Sequence, residues 1–91
     1  MGFTLYQFEM MPGVPSKTVF DRHGMTAGQL LAEFAEQYGE QVLENLLLDG
    51  EISEEVMVAL NGTIIRASQN PLAAVIPAGS ELVLSMLIAG G

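Results

Sequence analysis

The sequence predicts an α+β fold in which one mixed β-sheet packs on one main helix, with a short second helix beside it. Three observations point there: β-rich runs punctuated by proline and glycine toward both ends of the chain, one strongly capped amphipathic helix between them, and a final apolar run with almost no charge. Of the 91 residues 49% are apolar and 15% charged, enough for one modest core. Residues 1–91 are therefore expected to form one domain, with 89–91 as a flexible C-terminal tail.

Phe3–Glu9 (FTLYQFE) alternates imperfectly but is rich in β-formers. MPGVPS then breaks the chain with two prolines and a glycine, and KTVFDR resumes an extended pattern, so two strands joined by a loop are expected. TAGQ has the spacing of a capping box, in which Thr26 accepts from the N–H of Gln29 and the Gln29 side chain reaches back to the N–H of Thr26. Met25 and Leu30 stand where a hydrophobic staple packs. Leu30, Leu31, Phe34 and Tyr38 recur at helical spacing and Gly39 closes the element, which predicts a helix over Ala27–Tyr38.

In EQVLENLLLDG, Val42, Leu43, Leu46 and Leu47 suit a short second helix over roughly 40–48, ending near Asp49-Gly50. EISEE reads as an acidic, exposed connector. VMVALNGTIIR holds two β-rich runs around Asn61-Gly62, a dipeptide that tolerates positive φ at both central positions of a type I′ turn, and so predicts a hairpin. NPLAAVIPAGSE, with Pro71, Pro77 and Gly79, is expected to be mostly loop. ELVLSMLI, Glu81–Ile88, is apolar enough for a central strand covered on both faces. With that strand lying parallel to the first in the middle of the sheet, the order of elements is that of a β-grasp fold.

Composition excludes several classes of function. Eleven acidic residues against Lys17, Arg22 and Arg66 give a net charge of −8, which repels phosphate backbones and anionic membranes, so the expected partners are proteins, with no nucleic acid and no membrane. No apolar run reaches the length of a membrane span. The start MGFTLYQFEMM lacks a basic leader and a small-residue cleavage site, and the chain has no cysteine, so a cytoplasmic location is expected. Met1-Gly2 opens a myristoylation pattern that Tyr6 breaks.

The residues also offer little catalysis. His23 is the sole histidine and reads as a surface residue; without cysteine, Cys–His nucleophiles and Cys/His zinc sites have no ligands, and no bound cofactor or metal is expected. Glu51, Glu54 and Glu55 form a carboxylate cluster in a solvated stretch with no apolar pocket to raise a pKa. Asn61-Gly62-Thr63 matches a glycosylation acceptor, but the hairpin turn accounts for it. Six methionines, Met57 and Met86 among them, read as core filling or as an adaptable contact surface.

The tail differs from the rest. With ten glycines in the chain, two in succession at a given place arise by chance in about one chain in eighty, so Gly90-Gly91 asks for another reason. Residues without Cβ let an extended backbone pass a narrow channel and leave a carboxylate unshielded. Fully extended, Ala89-Gly90-Gly91 could project the terminal carbon roughly 10 Å beyond the sheet. A carboxylate there is anionic and inert toward nucleophiles until an activating step, such as adenylation with ATP, gives it a leaving group.

TAGQLLAEF, VALNGTII, NPLAAVIPAGSELVLSMLI and the closing AGG together resemble the ubiquitin-like sulfur carriers: the small subunit of molybdopterin synthase and the sulfur carrier of thiazole synthesis. The resemblance spans the whole chain. It implies that the chain is a carrier, not an enzyme: a ubiquitin-activating-type enzyme uses ATP to adenylate Gly91, a sulfur donor converts it to a thiocarboxylate, and an acceptor enzyme, either the large subunit of molybdopterin synthase or thiazole synthase, takes the sulfur. Gly90 and Ala89 match the tail that threads the channel, and Leu87 and Ile88 the apolar contact where the strand leaves the domain. SMLIAGG lacks the Pro-Pro pair common before the diglycine of molybdopterin synthase small subunits and is closer to the thiazole carriers, whereas chain length and the second helix favour molybdopterin or tungstopterin assembly. A protein modifier joined to lysine and a plain β-grasp interaction domain are the alternatives.

Overall fold

The structure, a computed structural model, describes residues 2–8, 10–11, 13–66 and 69–86. Its main sheet has the strands β1 (Phe3–Gln7), β2 (Lys17–Phe20), β5 (Val56–Leu60), β6 (Thr63–Ile65) and β7 (Glu81–Met86) in the order β2-β1-β7-β5-β6. β1 and β7 run parallel at the centre, with Leu5 opposite Leu82 and Gln7 opposite Leu84, and every other pairing is antiparallel. This is the mixed sheet of a β-grasp, with the central parallel pair expected of it.

The helix α1 (Ala27–Tyr38) covers one face. Its capping box is complete: the Gln29 N–H donates to Thr26 Oγ1 at 3.1 Å, and the Thr26 N–H donates to Gln29 Oε1 at 2.9 Å. Gly39 ends the helix with its N–H bonded to the Ala35 carbonyl at 2.9 Å. Leu30, Leu31 and Phe34 enter a core completed by Phe3, Leu5, Val58, Leu82 and Leu84 from the sheet, and Met25 packs half-buried against it. The segment after the 3₁₀ turn Pro71–Ala73 fastens the helix start to this core. The Ala27 N–H donates to Ala74 O at 2.9 Å, the Gly24 N–H to Ile76 O at 2.8 Å and the Ile76 N–H to Met25 O at 2.9 Å.

Between α1 and β5 the structure departs from the sequence expectation. The second helix is a single 3₁₀ turn, Glu40–Leu43, and a two-stranded ribbon follows: β3 (Leu47–Leu48) pairs antiparallel with β4 (Glu51–Ile52). Asp49 (φ 54°) and Gly50 (φ 82°) form its turn with the same pair of positive φ values as Asn61 (φ 52°) and Gly62 (φ 83°) between β5 and β6. Asp-Gly is as strong a type I′ signal as Asn-Gly, so a dipeptide that looks like a helix end closes a hairpin instead. EISEE is accordingly not all connector, since Ile52 is buried in the core.

β7 is described to Met86, and the expected last residues of the strand, Leu87 and Ile88, lie outside the described residues. Coverage on both faces is not what the strand has. Leu82 and Leu84 are buried against the helix, while Val83 and Ser85 are only half-buried on the other side, where no second layer lies among the described residues. Among the described residues no helix is long and apolar enough to cross a membrane.

Candidate functional site

The residues to which sequence reasoning assigns the chemistry, Ala89, Gly90 and Gly91, and the flanking Leu87 and Ile88, lie outside the described residues. What the structure describes is their base. β7 is held on both edges, by β1 along Glu81–Leu84 and by β5 along Leu82–Met86, so the chain reaches residue 86 from a strand fixed at the middle of the sheet. Its start is fixed as well. Asn61, in the β5–β6 turn, accepts from the Glu81 N–H through Oδ1 at 3.0 Å, donates from its backbone N–H to Glu81 O at 2.9 Å and from Nδ2 to Ser80 Oγ at 3.2 Å. The Asn61 amide is thus engaged as a structural clamp, in line with the hairpin reading of Asn61-Gly62-Thr63.

Two surfaces flank this base. The first is the open face of the sheet. The register aligns Ile64, Ala59, Val83, Tyr6 and Lys17 across all five strands, and Phe8 and Met57 stand alongside. Phe8 is 56% exposed and Ile64 53%, while the Lys17 ammonium lies 5.9 Å from the Tyr6 ring centre. Sequence reasoning missed this face because an apolar β7 reads as buried on both sides. The signal that marks it is period 2: the half-buried Tyr6, Met57 and Val83 alternate with the buried Leu5, Val58, Leu82 and Leu84, and the small Ala59 lies covered on the same open face.

The second surface is an open groove between the β3–β4 hairpin, the turn at 53–55 and Met86. It holds Glu51, Glu54 and Glu55, all exposed, together with Glu44 and Asp49. The structure brings these carboxylates to the end of β7, which their place in the sequence does not reveal. Among the methionines, Met10 and Met11 are core, Met57 is half-buried on the open face and Met86 is exposed, so the core-filling expectation is corrected for Met86. His23 is an exposed residue. No group of three His, Cys, Asp or Glu among the described residues is arranged to hold a metal ion.

The sequence model of the ThiS family matches residues 7–91. Among solved structures, the chain is similar to the Haloferax volcanii HVO 2177 protein in solution, with a TM-score of 0.73 and 22% identity over 100% of this chain and 87% of that one. It is also similar to the crystal structure of SAMP1 from Haloferax volcanii, at a TM-score of 0.68 and 22% identity over 100% of both chains. A further crystal structure, of H. volcanii small archaeal modifier protein 1, matches at a TM-score of 0.65 and 22% identity over 96% of this chain and 98% of that one. At this identity the likeness shows the fold alone. Comparison with curated proteins finds no match.

Proposed function

The chain belongs to the ThiS family, and on that premise we propose that it is a sulfur carrier whose reactive group is the carboxylate of Gly91. The observation that carries this reading is a family match that continues past the end of β7 through Gly90 and Gly91. In the proposed cycle a Gly91 carboxylate oxygen attacks the α-phosphorus of ATP in the active site of a ubiquitin-activating-type enzyme, and pyrophosphate leaves. Hydrosulfide, delivered by a sulfur donor, attacks the acyl carbon of the adenylate; AMP leaves, a proton is released and a thiocarboxylate remains. In the acceptor enzyme that sulfur attacks an electrophilic carbon of the substrate and displaces an oxygen leaving group, giving a thioester. Water then attacks the acyl carbon, the acyl C–S bond breaks, the substrate keeps the sulfur as a thiol and the carboxylate is restored.

The chain's own contribution is presentation. A tail of small residues on a strand held along both edges enters a channel without side-chain obstruction, and a rigid base spares the entropy of orienting it. ATP is bound by the activating partner and not by this chain. Exposed Phe8 and Ile64 on the open sheet face give partner proteins apolar area to cover. For the acceptor we favour molybdopterin or tungstopterin assembly, supported by chain length and by the segment Glu40–Ile52 between α1 and β5, with thiazole synthase as the other acceptor.

A second reading, a modifier joined to lysine, draws on the likeness in fold to SAMP1 and small archaeal modifier protein 1 of Haloferax volcanii. Deleting Gly91, or adding one residue after it, separates both readings from an inert interaction domain: either change should abolish transfer while leaving the melting temperature unaltered. Lysines bearing residues 67–91, the remnant that trypsin leaves by cutting after Arg66, would favour the modifier in a digested lysate, and their absence beside a detectable thiocarboxylate the carrier.

A further inference from the structure

The chain's end has to enter another protein, and the groove beside Met86 has the makings of a contact for that protein. Leu48 is 66% exposed and Met86 56%, and these two apolar side chains stand among the carboxylates of Glu44, Asp49, Glu51 and Glu54. No lysine or arginine lines the groove, and none occurs in the sequence between Arg22 and Arg66. Solubility accounts for exposed carboxylates. It does not account for a leucine held open at a tight turn, with two-thirds of its surface facing solvent. An apolar centre inside a charged rim is the anatomy of a protein interface, and the sign of the rim specifies its complement.

We propose that this groove docks a cationic, arginine- or lysine-bearing surface of the enzyme that adenylates the chain's end, with Leu48 and Met86 seated in its apolar contact. The inference rests on the carrier reading and adds to it the place and chemistry of recognition. Geometry fits the task. Five residues follow Met86 through Gly91, and fully extended they reach about 17 Å, so a partner held at the groove has its active site within the tail's range. Fields from the carboxylates fade over about 8 Å at physiological salt, so they act on a partner at close approach. There they raise the association rate by one to three orders of magnitude.

The test uses the full chain and the ubiquitin-activating-type enzyme encoded in the same genome. Association is measured over a range of salt, and thiocarboxylate is read by intact mass with ATP and sulfide. The double variant Glu54→Gln/Glu55→Gln is compared with Asp21→Asn/Glu81→Gln, which carries the same charge change at the opposite end of β7, and Leu48→Ser probes the apolar centre. The groove variant should associate about tenfold more slowly with a flatter salt dependence. Leu48→Ser should dissociate faster, and the control pair should match the native chain. Equal association and equal thiocarboxylate formation by all variants would overturn the groove and leave the carrier reading intact. Groove-dependent binding with no thiocarboxylate would support the groove and count against the carrier. Failure of the native chain to bind would overturn the groove.

Discussion

At Gln7 one buried side chain ties together Met10, Met11 and Val14 between β1 and β2. Its Oε1 accepts from the N–H groups of Met10 (2.9 Å) and Met11 (3.0 Å), while Nε2 donates to the Val14 carbonyl at 2.7 Å, with the Met11 and Pro15 carbonyls further off. A turn with Pro15 and without regular ladder partners has its backbone groups satisfied this way, and Met10, Met11 and Val14 are thereby held in the core. Replacing Gln7 with Leu keeps the volume and orphans two buried N–H groups, which should cost about 2–4 kcal/mol in urea unfolding. A loss under 1 kcal/mol would mean that water substitutes for the amide. Nothing in FTLYQFE marks this glutamine, because its partners are fixed by a turn whose path the sequence does not spell out.

At the level of elements, legibility followed how local the signal was. Helix α1 could be read to the residue, because its capping box and closing glycine act within a few positions of each other, and the Asn61-Gly62 hairpin was equally plain. Thr26→Ala should cost about 1 kcal/mol and lower the melting temperature by about 4–8 °C, as followed by circular dichroism. An unchanged melting temperature would show that the bonds from Ala74 and Ile76 hold the helix start without the cap. Leu46, Leu47 and Leu48 were harder, since a short apolar run fits a helix or a strand. The choice there was made by Asp49-Gly50 and by the burial of Leu46 and Ile52 in the same core. The exposed side of β7 was illegible for a different reason: whether a second layer covers a strand depends on the rest of the chain.

Across the whole molecule, charge and shape are unevenly shared. Every acidic residue except Glu9, Asp21 and Glu81 lies between Arg22 and Arg66, and the ion pair of Arg22 with Glu33 leaves the groove carboxylates unneutralised. β7 runs toward this acidic end, and its last described residue, Met86, stands beside the groove carboxylates. Binding to a cationic partner should therefore weaken steeply between low and physiological salt, as titration at several ionic strengths would record. The most direct measurement is the intact mass of the chain after incubation with its activating enzyme, ATP and sulfide. A mass gain equal to exchange of one oxygen for sulfur, mapped by fragmentation to Gly91 and lost when Gly91 is deleted, is the predicted result. An unchanged mass in the presence of an enzyme that turns over ATP, or a gain that survives the deletion, would contradict it.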